Sequence, residues 1–439
     1  MMPKQILVLG GGPAGGAVAI GLRRMGYPVT LVSEPRPFDA VEGISERVIA
    51  GLEGAGFREA LHTVAPASPR QVTWNGQTSA ANTEHLIVRP VFDAALLQDL
   101  ISHGIELVRG RIRRQLSAAG RYVAEVETSD GIVECQGDFL VEARGRAAPA
   151  SGMPRVQGSK TLSLLQYWQG PEGPARSAVQ SFTEGWAWMA QRADGRRYLQ
   201  LTLDAESTEL PPKQALGDWC RRHLERLEQA QPFIEGAKPV GDVHARISTP
   251  VLCECSAGDS WIRVGDAAMA VDPLSGNGIF QALSSALQAP AVINTLLQSP
   301  EQGELARHFH EQRIEGLFYR FARIGRDFYA QESQWPEQAF WRKRRSWPDN
   351  QPLHTDVTPQ QVNIGRRPVV QDGIITEAEV VITPDQPLGV WHLNGIELAP
   401  LLRRVRTQPD RSAGDVLNDA LGDSRGTQLA LWMSQQGWL

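Results

Sequence analysis

The 439-residue sequence predicts an α/β protein with a Rossmann-type nucleotide-binding domain, an antiparallel sheet inserted into it, and a small C-terminal module. The first observation is a glycine-rich loop between an apolar strand and a helix at the start of the chain. The second is a series of alternating strand patterns joined by Gly and Pro turns. The third is the return of a buried strand near Trp261, followed by long helical stretches.

These patterns divide the chain at three places. Residues 1–159 form the first part of the nucleotide-binding domain, with room for segments of the inserted sheet, and residues 160–249 form the antiparallel substrate domain. Residues 250–348 return to the nucleotide-binding domain and add long helices. Residues 349–439 form a small α/β module, with strand-like runs at Ile374-Ile375 and Val380–Ile382 and then three short amphipathic helices.

Composition excludes several classes of function. A net charge of −5 and a pI near 6.0 give nucleic acid and anionic membranes little to bind. No apolar run is long enough for a transmembrane helix. Because Met1–Gly10 leads directly into the first strand, we expect no signal peptide. We therefore expect a cytoplasmic protein. The four cysteines lack a CxxC or His cluster, so we predict buried thiols and no metal site.

The N-terminal loop has the spacing of a dinucleotide-binding fingerprint. Gly10 permits a tight turn, Gly12 lets the backbone approach a pyrophosphate, and Gly15 allows the helix to pack closely on the strand. Glu34 ends the second strand, where a carboxylate can accept hydrogen bonds from ribose hydroxyls. The cofactor contacts predicted in this unit are Gly10, Gly12, Pro13, Ala14, Gly15 and Glu34.

A second motif favours FAD over NAD. Trp261–Ala268 reads as a buried strand ending in Gly-Asp, which would bring Asp266 to the ribityl chain of a flavin. The turn Gly276–Gly278 precedes a helix and directs backbone N–H groups and a helix dipole at its ligand. Reduced flavin is negatively charged at its pyrimidine end and suits such a site. We therefore predict contacts from Asp266, Gly276, Asn277 and Gly278.

A third segment, Val88–Asp93, enters a helix. Arg89 could lie along the flavin or its phosphates, or it could be a surface arginine before an ordinary acidic helix start.

Taken in order, these motifs, together with Phe139–Arg146, resemble the para-hydroxybenzoate hydroxylase class of flavin monooxygenases, and most closely its tryptophan-halogenase-like branch. The resemblance covers roughly residues 3–345. It implies one FAD, with its isoalloxazine ring between the two domains, and a flavin C4a-hydroperoxide as oxidant, so that no catalytic side chain is assigned. Glu142-Ala143-Arg144-Gly145 departs from the usual Asp-Gly or Asp-Ala-Ser-Gly of that class.

The lysine distribution argues against halogenation. Halogenases of this branch use a lysine to direct hypohalous acid, but no lysine lies between Lys4 and Lys160. Gly185–Gln191 is similar to the halogenase Trp-x-Trp-x-Ile-Pro element, except that Ala190 and Gln191 replace Ile-Pro. Oxygen transfer is therefore favoured.

Within this branch, Val41–Arg47 and Trp335–Arg345 resemble flavoproteins that modify a tryptophan of a partner polypeptide during tryptophylquinone biogenesis. The resemblance implies hydroxylation of an indole in a peptide, with Arg47 as a further cofactor contact. Three alternatives stay open: a flavin-dependent reductase of a lipid or small metabolite, a halogenase-like enzyme, and a non-catalytic flavin-binding assembly factor. No second nucleotide unit is evident, so electrons come from a transiently bound nicotinamide cofactor or a separate reductase.

Candidate substrate contacts are Trp186, Trp188 and Pro273. The two tryptophans lie on one face of a predicted strand, where they could stack an aromatic ring or simply pack in the core. The basic, aromatic run Trp341–Trp347 has two interpretations. It is either a solvated helix face with buried tryptophans or a docking surface for an acidic partner.

Overall fold

The computed structural model describes residues 4–118, 120–276, 278–422 and 424–439. They divide into two compact units. The first comprises the chain up to Pro290 together with Ile314–Asn350, and the second comprises Ala291–Arg313 together with Gln351–Leu439.

The strands, in chain order, are β1 (Ile6–Leu9), β2 (Val29–Ser33), β3 (Val41–Ile44), β4 (Ala67–Trp74), β5 (Gln77–Val88), β6 (Glu106–Arg109), β7 (Arg111–Ala118), β8 (Arg121–Thr128), β9 (Gly131–Gly137), β10 (Phe139–Glu142), β11 (Arg155–Gln157), β12 (Thr161–Gln169), β13 (Arg176–Phe182), β14 (Gly185–Gln191), β15 (Arg196–Asp204), β16 (Lys238–Ile247), β17 (Val251–Cys253), β18 (Trp261–Arg263), β19 (Met269–Ala270), β20 (Asn363–Gln371), β21 (Ile374–Ile382), β22 (His392–Leu393) and β23 (Ile396–Glu397).

The α-helices, in chain order, are α1 (Pro13–Arg24), α2 (Glu46–Ala55), α3 (Glu59–His62), α4 (Arg89–Ser102), α5 (Lys213–Leu224), α6 (Gln231–Ile234), α7 (Gly278–Ala286), α8 (Ala289–Gln298), α9 (Gly303–Gln331), α10 (Ala339–Arg344), α11 (Leu398–Arg406), α12 (Ala413–Leu421) and α13 (Arg425–Gln435).

A five-stranded parallel sheet lies in the first unit, in the order β18-β10-β1-β2-β6. All four residues of β1 are buried, as expected for a strand covered on both faces. The register pairs Leu9 of β1 with Val32 of β2, so the glycine loop and Glu34 emerge at the same edge of the sheet. The α/β fold with a parallel nucleotide-binding core is confirmed.

An eight-stranded sheet in the same unit has the order β16-β12-β15-β14-β13-β4-β5-β3. Neighbouring strands are antiparallel except β4 and β13, which run parallel. The sheet contains β12 to β16 from the predicted substrate domain, and it adds β3, β4 and β5 from before residue 160. Successive side chains along each strand point to opposite faces of the sheet. Residues that are paired across neighbouring strands point to the same face, so the pairing shows which side chains share a face.

One face of this sheet carries a core of aliphatic residues. Leu164, Leu199 and Leu201 pack there with Leu216 and Leu224 of α5. The opposite face carries Val179, Trp188 and Gln200, which lie side by side on β13, β14 and β15. The remaining sheets of the first unit are small, with the orders β7-β8-β9 and β11-β17-β19.

The second unit has its own core, built from β20, β21 and the helices α11, α12 and α13. Both strand-like runs predicted there belong to the single strand β21, which corrects the prediction of two strands. Its hairpin partner is β20, in which Arg366, Arg367 and Pro368 interrupt the apolar alternation that marks a strand. Within the described part of the chain, no helix is both long and apolar enough to cross a membrane.

Candidate functional site

The glycine loop is shaped by close backbone contacts. Gly10 has a φ of +116°, and a Cβ there would lie 2.2 Å from the carbonyl oxygen of Ala143. A Cβ on Gly15 would lie 2.0 Å from the carbonyl oxygen of Gly10. At Gly12, by contrast, an added Cβ would meet nothing within 4 Å, immediately before the N-terminus of α1. The loop therefore leaves an open cradle where the dipole of α1 favours a phosphate.

Pro13 and Ala14 begin α1, and proline suits a first helical position because its missing N–H has no partner there anyway. Glu34 follows β2 at the same edge of the sheet and keeps an exposed carboxylate, 3.8 Å from Arg111. Both features lie at the edge of the sheet where the sequence places the cofactor, and their contacts with a pyrophosphate and a ribose stay predictions.

The Gly-Asp motif lies directly against the glycine loop. Gly265 has a φ of +60°, and a Cβ there would lie 2.7 Å from the Cβ of Ala14. The amide of Gly265 is held by the hydroxyl of Ser285, 2.8 Å away on α7. Two motifs that are far apart in the sequence are therefore in contact, as a single cofactor site requires.

Asp266 follows in the same turn and lies 3.5 Å from Arg146. Burial raises the pKa of Asp266, while Arg146 acts in the opposite direction. The Asp266 side chain remains 34% exposed, so its carboxylate can accept hydrogen bonds from the hydroxyls of a ribityl chain.

The turn before α7 also has an open approach. Pro273 is half-buried in the short 3-10 turn Pro273–Ser275, and Gly276 follows with a φ of +62° and no atom within 4 Å of an added Cβ. Gly278 begins α7. Asn277, the fourth residue predicted for this site, lies outside the described residues.

Arg89 forms two ion pairs inside the protein. Its guanidinium is buried, 2.9 Å from Glu42 on β3 and 2.8 Å from Asp93 one turn further along α4. Burial alone would raise the pKa of Glu42, but Arg89, Arg36 and Arg246 outweigh it and lower the pKa. The interpretation of Arg89 as a surface arginine is wrong, because its side chain is buried. Part of its positive charge is compensated by Glu42, which would reduce its electrostatic effect on a bound cofactor. Arg47 is exposed in the first turn of α2.

The two candidate tryptophans differ in exposure. Trp186 is 3% exposed and packs with Tyr329, Phe340 and Trp341, so in this structure core packing is its role and it offers no surface to a substrate. Trp188 is only half-buried and lies at the edge of the same aromatic cluster. Of the pair, Trp188 remains the candidate for stacking a substrate ring.

Basic side chains in and just after α10 form ion pairs and hydrogen bonds with other parts of the same chain. Lys343 and Arg344 reach Asp204 at the end of β15, at 3.1 and 3.0 Å, and Arg344 is itself buried. Arg345 donates to the carbonyls of Ala330 and Glu332. Most of these charges stabilise the fold, so the docking-surface interpretation is wrong for them.

Sequence reasoning missed a hydrogen-bonded chain at this site. Trp186 donates its indole N–H to the hydroxyl of Tyr329 at 3.2 Å, and Tyr329 donates to Asp272 at 2.8 Å. Asp272 lies between the Gly-Asp motif and Gly276 in the sequence, but Tyr329 lies in the long helix α9, which carries no recognisable motif. No sequence signal pairs residues so far apart.

No model of a known protein family matches the chain. Among solved structures, the peptidyl tryptophan dihydroxylase QhpG, essential for tryptophylquinone cofactor biogenesis, is 50% identical, with all of both chains covered and a TM-score of 0.86. This chain belongs to the QhpG family of flavin monooxygenases. Like other members of the QhpG family it is an FAD-dependent oxidoreductase.

More distant relatives of this QhpG-family chain are halogenases. The tryptophan 2-halogenase of Chondromyces crocatus is 26% identical over 373 residues, covering 77% of this chain and 70% of that protein. The flavin-dependent halogenase CmlS has a TM-score of 0.78 with 18% identity, covering 100% of this chain and 96% of that one. At that identity the likeness shows a shared fold alone.

Proposed function

We propose that this protein hydroxylates a tryptophan side chain of a partner polypeptide during biogenesis of a tryptophylquinone cofactor. The observation that supports this best is the full-length similarity to QhpG at 50% identity. The resemblance of Val41–Arg47 and Trp335–Arg345 to flavoproteins of tryptophylquinone biogenesis points to the same substrate class.

The residues of the site fit FAD. The open backbone at Gly12 suits the pyrophosphate, Glu34 suits a ribose, and Asp266 suits the ribityl chain. The turn at Gly276 and the N-terminus of α7 suit the pyrimidine end of the flavin. When bound, FAD supplies the oxygen-activating chemistry, which amino-acid side chains do not provide.

The protein must then hold the indole beside the cofactor and keep water away. The half-buried Trp188 offers an aromatic surface for the substrate ring, next to a cluster of buried aromatic side chains. Such stacking contributes roughly 0.5–1.5 kcal/mol beyond burial. Correct placement of two reacting groups lowers a barrier more than any single contact of this kind.

The lysines of the chain support hydroxylation over halogenation. Lys160 and Lys343 both pair with Glu206, at 3.2 and 2.9 Å, and no lysine occurs between Lys4 and Lys160. Both of these ammonium groups are engaged with a carboxylate. Electrons would come from a reduced nicotinamide cofactor that binds transiently or from a separate reductase.

Mass spectrometry of a tryptophan-containing peptide tests the proposal. After incubation with the FAD-loaded protein, a reductant and oxygen-18 gas, we expect the peptide to gain one or two labelled oxygen atoms, with chloride and bromide present or absent. The matched control is the same peptide with phenylalanine in place of tryptophan, which should stay unchanged. Incorporation of halogen, or a substrate that gains two hydrogens without oxygen, would contradict the proposal.

A further inference from the structure

Asp272 organises the turn that precedes α7. Its Oδ1 accepts a hydrogen bond from the amide of Leu274 at 2.9 Å and caps the 3-10 turn Pro273–Ser275. The carboxylate is 6% exposed, so water does little to hold it in place. The conformation of this turn therefore depends on how the carboxylate of Asp272 is oriented.

Tyr329, on helix α9, helps to hold that orientation. Its side chain is 2% exposed on α9, and its hydroxyl donates to the same Oδ1 of Asp272 at 2.8 Å. Burial raises the pKa of Tyr329 well above its ordinary value, so the phenol keeps its proton and remains a donor. A hydrogen bond to a buried charged group is among the stronger hydrogen bonds in proteins.

The chain continues to the eight-stranded sheet. The oxygen of Tyr329 accepts the indole N–H of Trp186 on β14, so each donor points in the same direction, from the sheet towards the carboxylate. Tyr329 is fixed further by ring contacts with Phe340 and Trp341, with centroids 5.6 and 6.0 Å away. The aromatic cluster thus holds the Tyr329 hydroxyl, which donates to one carboxylate oxygen of Asp272 at the turn.

A counter-charge lies near this carboxylate. Asp272, Tyr329 and Arg344 line one cavity of about 10 Å³, which has room for a single water molecule. The Nε of Arg344 is buried and makes no hydrogen bond among the described residues. Burial raises the pKa of Asp272, and Arg344, the Leu274 amide and the Tyr329 hydroxyl oppose that effect.

We propose that Tyr329 is a positioning residue for the cofactor, which fixes the turn Pro273–Gly276 through Asp272 and ties it to the sheet through Trp186. The proposal rests on the proposed placement of this turn beside the pyrimidine end of FAD. It does not depend on which substrate is hydroxylated, so its tests require no peptide.

Tyr329→Phe provides the first test, because it keeps the ring in the aromatic cluster and removes only the hydroxyl. We expect a dissociation constant for FAD about tenfold higher, the effect of about 1.4 kcal/mol, measured by quenching of flavin fluorescence. The midpoint potential of bound FAD, measured at pH 8, should fall, because the carboxylate of Asp272 loses one of its donors and its negative charge is less well compensated. Tyr319→Phe in the same helix is the matched control and should change neither quantity.

Asp272→Asn provides the second test and serves alone if Tyr329→Phe does not fold. The amide oxygen can still accept both hydrogen bonds, but a negative charge near the flavin is lost, so the midpoint potential should rise. Opposite shifts in the two variants would support positioning through the carboxylate. If either folded variant keeps the FAD affinity and midpoint potential of the unmodified protein, the proposal is overturned. A lower melting temperature in such a variant would show that the network only stabilises the fold. A failure of peptide hydroxylation would leave these measurements unaffected.

Discussion

At the scale of single residues, Gly265 shows how closely the two cofactor motifs meet. Its φ of +60° disfavours any other residue, and an added Cβ would lie 2.7 Å from the Cβ of Ala14. Real Cβ atoms do not approach so closely, so a substitution must separate the glycine loop from the Gly-Asp turn. A substitution at Gly265 should therefore weaken FAD binding more than a substitution that only strains the backbone.

Gly265→Ala should abolish or greatly weaken FAD binding, measured as the flavin content of the purified protein. Gly26→Ala is the matched control, because Gly26 also has a positive φ, of +90°, but an added Cβ there meets nothing within 4 Å. The control should lose roughly 1–2 kcal/mol of stability and retain its flavin. Equal flavin content in the two variants would show that contact between the motifs is unimportant.

At the scale of elements, Asp204 joins the end of β15 to α10. Burial alone would raise the pKa of Asp204, but hydrogen bonds from Arg344, Lys343 and Ser207 bring it down to about 2. Both Asp204 and Arg344 are buried, at 1% and 4% side-chain exposure. Loss of one partner from a buried pair leaves the other charge uncompensated, which costs about 3–5 kcal/mol.

Asp204→Asn should lower the free energy of unfolding by that amount near neutral pH, measured by urea denaturation. The native pKa is depressed, so the stabilisation is complete above the unfolded-chain pKa of about 3.9 and disappears as the pH falls through about 2. The difference between the variant and the unmodified protein should therefore narrow in acid. Asp242→Asn breaks an exposed pair with Lys213 and should cost at most about 1 kcal/mol. A pH-independent difference would argue against the ion pair.

Secondary-structure elements could be predicted where the local hydrophobic pattern and the turn residues indicated the same structure. The strand, glycine loop and helix around Gly12 are encoded by contiguous residues, and the structure has them within a few positions. β20 was missed because Arg366, Arg367 and Pro368 hide its alternation, which its edge position tolerates. The chain from Trp186 through Tyr329 to Asp272 depends on tertiary packing, because its two hydrogen bonds join residues that are 143 and 57 positions apart in the sequence. No local pattern carries that information.

At the scale of the whole molecule, the C-terminal unit is discontinuous. Its core is formed after residue 351, yet it also includes Ala291–Arg313, with most of α8. The hydroxyl of Thr295 accepts the amide of Ile375 at 2.8 Å, and Asn294 donates to the carbonyl of Gly373 at 2.8 Å. The predicted boundary at residue 349 therefore separates Ala291–Arg313 from the rest of this compact unit.

Truncation after Asn350 should consequently yield aggregated protein in place of a soluble flavoprotein, because α8 loses both bonds and the core that belongs to its unit. Thr295→Val is the milder test. It keeps the shape of the side chain and leaves the buried amide of Ile375 without an acceptor, which costs about 1–3 kcal/mol. Its flavin content should stay normal while its melting temperature falls. A truncated chain that remains monodisperse by size-exclusion chromatography and retains FAD would show instead that the first unit folds without the C-terminal segment.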